Sequence, residues 1–187
     1  DVQRPRYVPL LAALGQAAGT LKLGPGLEPE TFMGPLVSAE QKRVVCDYIA
    51  SGVAEGATLV TGGGVDGVDG HYVRPTILAN TTQQMKVVRE EVFGPVLTVA
   101  PFDDLDEAIA LANDSDMGLA AAVYSQDVTR IHHLVRRLRA GTVWVNTHNI
   151  YDAGLPFGGY KKSGLGREMG PEAIDLYTQV KTVTMAV

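Results

Sequence analysis

The feature that most constrains the fold is an alternation of strand and helix patterns between residues 96 and 145. The continuous apolar run at 96–100 predicts a strand covered on both faces. It is followed by an amphipathic helix pattern at 105–113, a buried strand pattern at 119–124, a helix pattern from Asp127 to about Arg139, and a strand pattern at 141–145. This order predicts an α/β fold with a mostly parallel sheet flanked by helices.

Two further helix patterns lie in the first 60 residues. Apolar residues recur at helical spacing over 6–21, and a Gly-Pro-Gly sequence then stops the pattern. Ser38 and Gln41 form a capping-box pattern, in which each side chain can satisfy an orphan backbone donor, and this helix ends near Gly56. Additional strand patterns occupy 57–61, 72–78 and 180–187. Pro75 lies inside the second of them and indicates a bend or an edge strand.

Composition limits the partners of the chain. Its 187 residues carry a formal net charge of −5 and form no basic stripe, which argues against nucleic acid and anionic membrane as partners. No apolar run approaches membrane-spanning length. The single cysteine excludes an internal disulfide and favours a reducing compartment, so we expect a cytoplasmic protein. Because Asp1 leads directly into a helix pattern, without an initiator methionine or signal peptide, we expect a piece of a longer protein.

Three patterns that could carry chemistry have simpler interpretations. Residues 62–67 formally match G-x-G-x-x-G, but they run into turn residues and another strand instead of the helix that a dinucleotide fingerprint requires, which favours a loop. Cys46 lies inside a helix beside Asp47 and is expected to be a packing residue. His132 and His133 lie among arginines on a basic helix, where no carboxylate cluster completes a metal site, so no metal is expected.

Two adjacent carboxylates, Glu90 and Glu91, precede Phe93, Gly94 and Pro95 at the start of an apolar run. A carboxylate at this point can accept hydrogen bonds from a vicinal diol, and the Phe93 ring can lie against a planar heterocycle. A diol attached to a flat heterocycle describes a nucleotide ribose. The alternative is that the acids form a solvated helix end and that Phe93 is a core residue. The motif taken alone favours this alternative.

The segment after Trp144, residues 145–168, combines aromatic residues, turn-forming glycines and polar side chains. Loops at the C-terminal ends of parallel strands are the usual ligand-binding positions of α/β proteins. A binding loop and a long structural loop both remain possible interpretations of this segment alone.

Nine segments occur in a recognisable order along the chain. They are MGPLV (33–37), GA (56–57), PT (75–76), EEVFGPV (90–96), AN (112–113), GLAA (118–121), GTVWVN (141–146), PFGGYK (156–161) and SGLGRE (163–168). Together they closely resemble the C-terminal part of the NAD(P)-dependent aldehyde dehydrogenase superfamily. The resemblance covers essentially the whole chain.

The resemblance implies roles for individual residues. Glu91 matches the residue that binds the nicotinamide-ribose hydroxyls, and Phe93 matches the aromatic residue beside the nicotinamide, so NAD or NADP is the expected cofactor. Phe157 matches a wall of the tunnel through which a small-molecule aldehyde enters. The rim of that tunnel is implied to consist of residues 147–151, which include His148, Asn149, Ile150 and Tyr151.

In the family, a cysteine thiolate adds to the aldehyde, hydride passes to the nicotinamide, and water activated by a glutamate releases the acid. Both catalytic residues are upstream of this sequence in the family, and Cys46 does not match the nucleophile, so no catalytic residue is expected in this chain. The resemblance implies that residues 1–176 belong to the catalytic domain and 177–187 to an oligomerisation strand. The resemblance further implies that the N-terminal dinucleotide-binding domain is not among these 187 residues.

Two functional hypotheses follow. In the first, the chain is the C-terminal fragment of a homo-oligomeric aldehyde dehydrogenase, a dimer or a tetramer, and is inactive alone. In the second, it is a truncated, non-enzymatic assembly or binding module with the same fold. The rim contains no arginine that could clamp a carboxylate, which favours neutral aliphatic or aromatic aldehydes of the phenylacetaldehyde type.

Overall fold

The computed structural model describes residues 1–64 and 69–187, which form two compact units, Asp1–Ala108 and Ile109–Val187. The first unit contains β1 (Val2–Gln3), α1 (Arg4–Thr20), α2 (Ala39–Ala54), β2 (Thr58–Thr61), β3 (Thr76–Ala79), α3 (Lys86–Arg89), β4 (Val96–Val99) and β5 (Pro101–Phe102). Helix α4 (Leu105–Asn113) spans the boundary. The second unit continues with β6 (Met117–Gly118), β7 (Ala120–Val123), α5 (Val128–Arg137), β8 (Thr142–Val145), β9 (Tyr160–Lys161) and α6 (Glu172–Asp175).

The four longer helices lie where their sequence patterns predict them. Two of them begin at the predicted capping residues. The Ser38 hydroxyl accepts a hydrogen bond from the Gln41 backbone N–H at 3.1 Å, and the Asp127 carboxylate accepts one from the Arg130 N–H at 3.1 Å. Each cap satisfies one of the backbone donors that a helix leaves open in its first turn.

Strand β3 is the centre of the first unit. It pairs antiparallel with β2 and parallel with β4, and all four of its residues are buried. Its side chains alternate between two faces, as a strand requires. Ile77 and Ala79 pack with Tyr7 of α1, whereas Leu78 packs on the opposite side with Val87 of α3. The core of this unit therefore has helices on both faces of its sheet.

Strands β3 and β4 have positions in the sheet that differ from the predicted ones. Pro75 does not mark an edge: it lies just before β3, so its missing N–H removes no hydrogen bond from the ladder. In contrast β4, which was expected to be covered on both faces, has β3 as its single strand partner within the described residues, and Leu97 is 46% exposed. Neighbours distant in sequence decide which strand is central, and the local pattern does not contain them.

The second unit contains a β-α-β arrangement. Strands β7 and β8 are parallel, in register from Ala120 with Thr142 to Val123 with Val145, and α5 connects them. A short antiparallel pair, β6 with β9, joins the start of the unit to the 160–161 segment. The buried strand predicted at 119–124 forms only at 120–123, as β7, and of its four residues Val123 alone is buried; the flanking Leu119 and Tyr124 are 44% and 67% exposed.

The predicted α/β class is confirmed, with parallel pairs β1–β5, β3–β4 and β7–β8. The pairs belong to separate small sheets in place of one continuous sheet. The C-terminal strand predicted at 180–187 is not formed here, since these residues are exposed and make no ladder with another described strand. A strand needs a partner, and the expected partner is a neighbouring subunit, so the pairing stays a prediction.

The simpler interpretations of the glycine cluster and of Cys46 agree with the structure where it describes them. Gly62 and Gly63 lie in a loop with φ angles of +79° and +81°, and neither belongs to a helix. Residues 65–67 of the same motif lie outside the described residues. Cys46 is partly buried in α2 and packs against the cluster of Val45, Ile49 and Val73.

Glu55 fixes the start of α3, the short helix that leads into the Glu90–Glu91 motif. Its carboxylate accepts hydrogen bonds from the Ser51 hydroxyl and from the Lys86 backbone N–H, and these hold its pKa below the ordinary glutamate value. A depressed pKa in the folded state means that the contribution to stability is present above the unfolded-state pKa, about 4.3, and is lost as the pH falls through the folded-state pKa. We expect Glu55→Gln to lower the urea midpoint at pH 7 and to have little effect at pH 3.

The matched control is Glu28→Gln, since the Glu28 side chain has no partner among the described residues. Its urea midpoint should follow the wild type at both pH values. An equal loss of stability at pH 7 and pH 3 in Glu55→Gln would contradict the role of the Glu55 charge.

Candidate functional site

The motif at 90–96 forms the connection between α3 and β4 in the first unit, and its two carboxylates have different surroundings. Glu90 accepts a hydrogen bond from the Tyr48 hydroxyl at 2.7 Å, and Lys86 Nζ lies 4.0 Å from the same carboxylate. The bond to Glu90 raises the pKa of Tyr48, because a nearby carboxylate favours the protonated phenol. Glu90 is thus engaged with α2 and α3.

Glu91, in contrast, is exposed and has neither a hydrogen-bond nor an ion-pair partner in the part of the chain that the structure describes. An ionised carboxylate offers two acceptor oxygens, which suit the two hydroxyl groups of a ribose. The structure therefore distinguishes two acids that are adjacent in sequence: within its described residues Glu90 has partners and Glu91 has none.

Phe93 occupies a backbone conformation that is uncommon for a bulky side chain. Its φ angle is +51°, in the left-handed region, and 77% of the residue is exposed. The prediction of an accessible ring agrees with this exposure, and the alternative of a core residue does not. A bulky residue stays in this region only where the surrounding contacts hold it there, and such strained positions concentrate at ligand sites.

Neighbouring residues hold the Phe93 turn against α2. Gln41 Nε2 donates to the carbonyl oxygens of Val92 at 3.1 Å and Phe93 at 3.0 Å. At Gly94 a Cβ atom would lie 2.4 Å from Val45 Cγ2, so only glycine allows the turn to approach the helix this closely. The capping-box prediction was wrong for the Gln41 side chain: its Nε2 donates to the motif, and within the described residues its Oε1 accepts no hydrogen bond from the Ser38 N–H.

In the second unit, Trp144 at the end of β8 organises the predicted tunnel residues. The indole is buried, and its Nε1 donates to the Ile150 carbonyl oxygen at 2.8 Å. The rings of His148 and Tyr151 contact it edge-on, with centroids at 5.0 and 5.6 Å. Asn149 accepts a hydrogen bond from the Tyr151 hydroxyl at 2.7 Å. Edge-to-face packing is a favourable arrangement of aromatic rings.

Phe157 joins this aromatic cluster through Tyr151, with ring centroids 5.0 Å apart at an interplanar angle of 86°. Its backbone is fixed by two hydrogen bonds of 2.7 Å with Glu168, one in each direction. The next residue, Gly158, approaches Gly141 closely: a Cβ atom added to Gly141 would lie only 1.7 Å from the Gly158 carbonyl oxygen. The Phe157 turn therefore lies directly against the first residue of the 141–145 segment.

The structure brings the five predicted tunnel residues together around Trp144 within the second unit, and it places Glu91 and Phe93 on one turn in the first unit. Two residues that matter to this geometry were missed. The sequence places Trp144 in the 141–145 strand and in the 141–146 motif but assigns it no role in the loop that follows, although a lone tryptophan before an aromatic segment is a signal of a packing anchor. The Gln41 contact spans 51 and 52 residues in sequence, and no local pattern reveals it.

The remaining candidate patterns add no further site. Among residues 1–64 and 69–187 no three His, Cys, Asp or Glu side chains gather closely enough to hold a metal ion. His133 is partly exposed on α5 and lies 3.2 Å from a guanidinium nitrogen of Arg137. No described helix combines the length and the apolar character needed to cross a membrane.

Comparison with known proteins gives a consistent result. The model of the aldehyde dehydrogenase family matches residues 2–183. A betaine aldehyde dehydrogenase of Brucella melitensis is 49% identical over 167 residues, which are 87% of this chain and 34% of that protein. The chain thus spans about a third of the length of this relative.

Solved structures agree in fold. The NAD+ complex of an aldehyde dehydrogenase from Bacillus cereus superposes with a TM-score of 0.95 at 48% identity, covering 97% of this chain and 37% of that one. The NAD+ complex of a betaine aldehyde dehydrogenase from Staphylococcus aureus gives 0.91 at 42% identity, covering 94% and 36%. The chain belongs to the aldehyde dehydrogenase family.

Proposed function

We propose that this chain is the C-terminal part of an NAD(P)-dependent aldehyde dehydrogenase, in which it binds the nicotinamide ribose and forms a wall of the substrate tunnel. The observation that carries the proposal is the contrast between Glu90, bound to Tyr48, and Glu91, whose exposed carboxylate has no partner among residues 1–64 and 69–187. The exposed ring of Phe93, two residues later, supports it.

The bound cofactor would accept the hydride that leaves the substrate carbon. In that reaction the residues of this chain bind and orient. Glu91 accepts hydrogen bonds from the ribose hydroxyls, and Phe93 offers an apolar face to the nicotinamide. The described residues support no role for Cys46 as a nucleophile, because its partly buried side chain packs against the cluster of Val45, Ile49 and Val73. We expect the thiolate and the general base to come from residues beyond these 187.

The aromatic cluster of the second unit supports a tunnel wall for small aldehydes. Tyr151 and Phe157 meet edge to face, and Tyr151 remains 46% exposed. Such a surface excludes water from an apolar substrate and offers no guanidinium for a second carboxylate. We therefore propose neutral aliphatic or aromatic aldehydes as substrates. Aromatic rings also suit a quaternary ammonium group, so betaine aldehyde, after which the Brucella relative is named, is the second candidate.

The intact protein is further proposed to be a cytoplasmic homo-oligomer. The single cysteine, which can form no internal disulfide, supports the location. The C-terminal residues support the assembly: Val183, Met185 and Val187 alternate with smaller residues and are 75% or more exposed. Alternation of this kind suits a strand that adds to a sheet of another subunit.

The proposed function predicts a difference between the 187-residue chain and the full-length enzyme that contains it. The chain alone should show no aldehyde-dependent reduction of NAD(P)+ above background, because the nucleophile is not among its residues. The full-length enzyme should oxidise phenylacetaldehyde with a higher kcat/KM than succinate semialdehyde. Absorbance of the reduced nicotinamide measures both.

Betaine aldehyde serves as the third substrate in the same assay, and a higher kcat/KM for it than for phenylacetaldehyde would favour the second candidate. A full-length enzyme that prefers succinate semialdehyde contradicts the proposed substrate class. Turnover by the 187-residue chain that is abolished by Cys46→Ser contradicts the proposal that the nucleophile lies outside these residues.

A further inference from the structure

Gln41 connects the first turn of α2 to the turn that carries Glu91 and Phe93. One side-chain NH2 group donates to two consecutive backbone carbonyl oxygens, those of Val92 and Phe93, at 3.1 and 3.0 Å. The backbone N–H of the same residue is used by the Ser38 cap. Gln41 is therefore fixed at its backbone by the helix, and its amide reaches the turn from a rigid base.

The Phe93 turn needs such support. A left-handed φ angle is sterically unfavourable for a residue with a bulky side chain. Burial of the ring does not compensate for it, because the residue is 77% exposed. The contacts that hold the turn are on its backbone: the two Gln41 hydrogen bonds, the close approach of Gly94 to Val45, and the bond from Thr76 N–H to the Pro95 carbonyl oxygen at 2.8 Å.

We infer that Gln41 is a positioning residue for the cofactor contact: it clamps the Val92 and Phe93 carbonyl oxygens and thereby fixes the directions of Glu91 and the Phe93 ring. The inference rests on the proposed function of those two residues. Release of the clamp lets Phe93 relax to a negative φ angle. A rotation of the backbone at this position changes the directions of the Glu91 and Phe93 side chains. The clamp acts before the cofactor binds, so its loss weakens binding without removing any group from the reaction.

The chemistry of the clamp requires a glutamine. Alanine leaves both carbonyl oxygens without their donor. Glutamate has the same length but replaces the donating NH2 group by an acceptor beside two other acceptors, so it repels the turn instead of holding it. These two variants provide independent tests, one that deletes the clamp and one that preserves its size.

The experiment uses the full-length enzyme that contains this chain, with Gln41→Ala and Gln41→Glu as variants and Gln16→Ala as the matched control. Gln16 is exposed on α1 and has no partner among the described residues. Both Gln41 variants should raise the KM for the cofactor about tenfold and leave kcat within about twofold, whereas Gln16→Ala should change neither. Thermal unfolding of each variant confirms that the measured protein is folded.

Glu91→Gln separates the inference from the proposed function, and the double variant Gln41→Ala/Glu91→Gln shows whether the two residues act together. If Gln41 acts through the turn, its effect on the cofactor KM is smaller in the Glu91→Gln background, where only the Phe93 ring remains to be positioned. Full additivity overturns the inference. A raised KM in Glu91→Gln with unchanged KM in both Gln41 variants also overturns it and leaves the proposed function standing. An unchanged KM in Glu91→Gln overturns the proposed function, and the inference with it.

Discussion

Replacement of Glu91 by glutamine in the full-length enzyme is expected to lower kcat/KM for the cofactor about 30-fold. Loss of a hydrogen bond to a charged group costs about 2 kcal/mol of binding free energy, which corresponds to this factor. Glutamine keeps the shape of the side chain but has no charge and replaces one acceptor oxygen by an NH2 donor, so it cannot accept one ribose proton on each of two oxygens. Steady-state kinetics with the cofactor varied at saturating aldehyde give the ratio directly.

Glu90→Gln is the matched control, since it makes the same chemical change one residue earlier. Its carboxylate is engaged by Tyr48 and Lys86 on the side of α2 and α3. We expect less than a twofold change in cofactor kcat/KM, together with a fall in the pKa of Tyr48 towards its ordinary value, because the carboxylate that raises it is gone. Equal losses in the two variants would show that the motif acts through its total charge.

The sequence predicts the helices well because their signals are local. The caps at Ser38 and Asp127 depend on contacts three residues away, and both are present. The position of each strand in the sheet, central or at the edge, is harder to predict from the sequence. The run at 96–99 has the composition of a buried strand, yet Leu97 is 46% exposed, because burial depends on which chain segment lies beside it. The same reason limits the prediction at 180–187, where the expected partner is another subunit.

In the candidate site, too, contacts between residues close in sequence were predictable and contacts between distant residues were not. The residues around Trp144 are close in sequence, so a single segment predicts most of the cluster. The preference for Glu91 over Glu90 came from family resemblance, and its physical basis is the Tyr48 hydroxyl, 42 residues from Glu90. The sequence predicts a different partner for Gln41 because the capping box is a local rule, whereas the carbonyl oxygens that orient its amide lie 51 and 52 residues away.

Gly141→Ala is expected to lower the free energy of unfolding of the 187-residue chain by about 3 kcal/mol, because overpacking against rigid backbone cannot be relieved by a side-chain rotation. The added Cβ would lie 1.7 Å from the Gly158 carbonyl oxygen and 2.8 Å from its carbonyl carbon. Accommodation therefore requires the Phe157–Gly158 turn to move away from the 141–145 segment. Urea denaturation of the variant and the wild type measures the difference.

Gly19→Ala provides a control of the opposite sign. Gly19 lies in α1, and a Cβ atom there would meet nothing within 4 Å. Alanine loses less conformational entropy than glycine on forming a helix, so this variant should gain about 0.5 kcal/mol. Because both variants add the same methyl group, a difference in sign isolates the contact with Gly158 as the cause. If Gly141→Ala is as stable as the wild type, the Phe157 turn cannot be packed against Gly141 as closely as the structure shows, and the tunnel wall must be built differently.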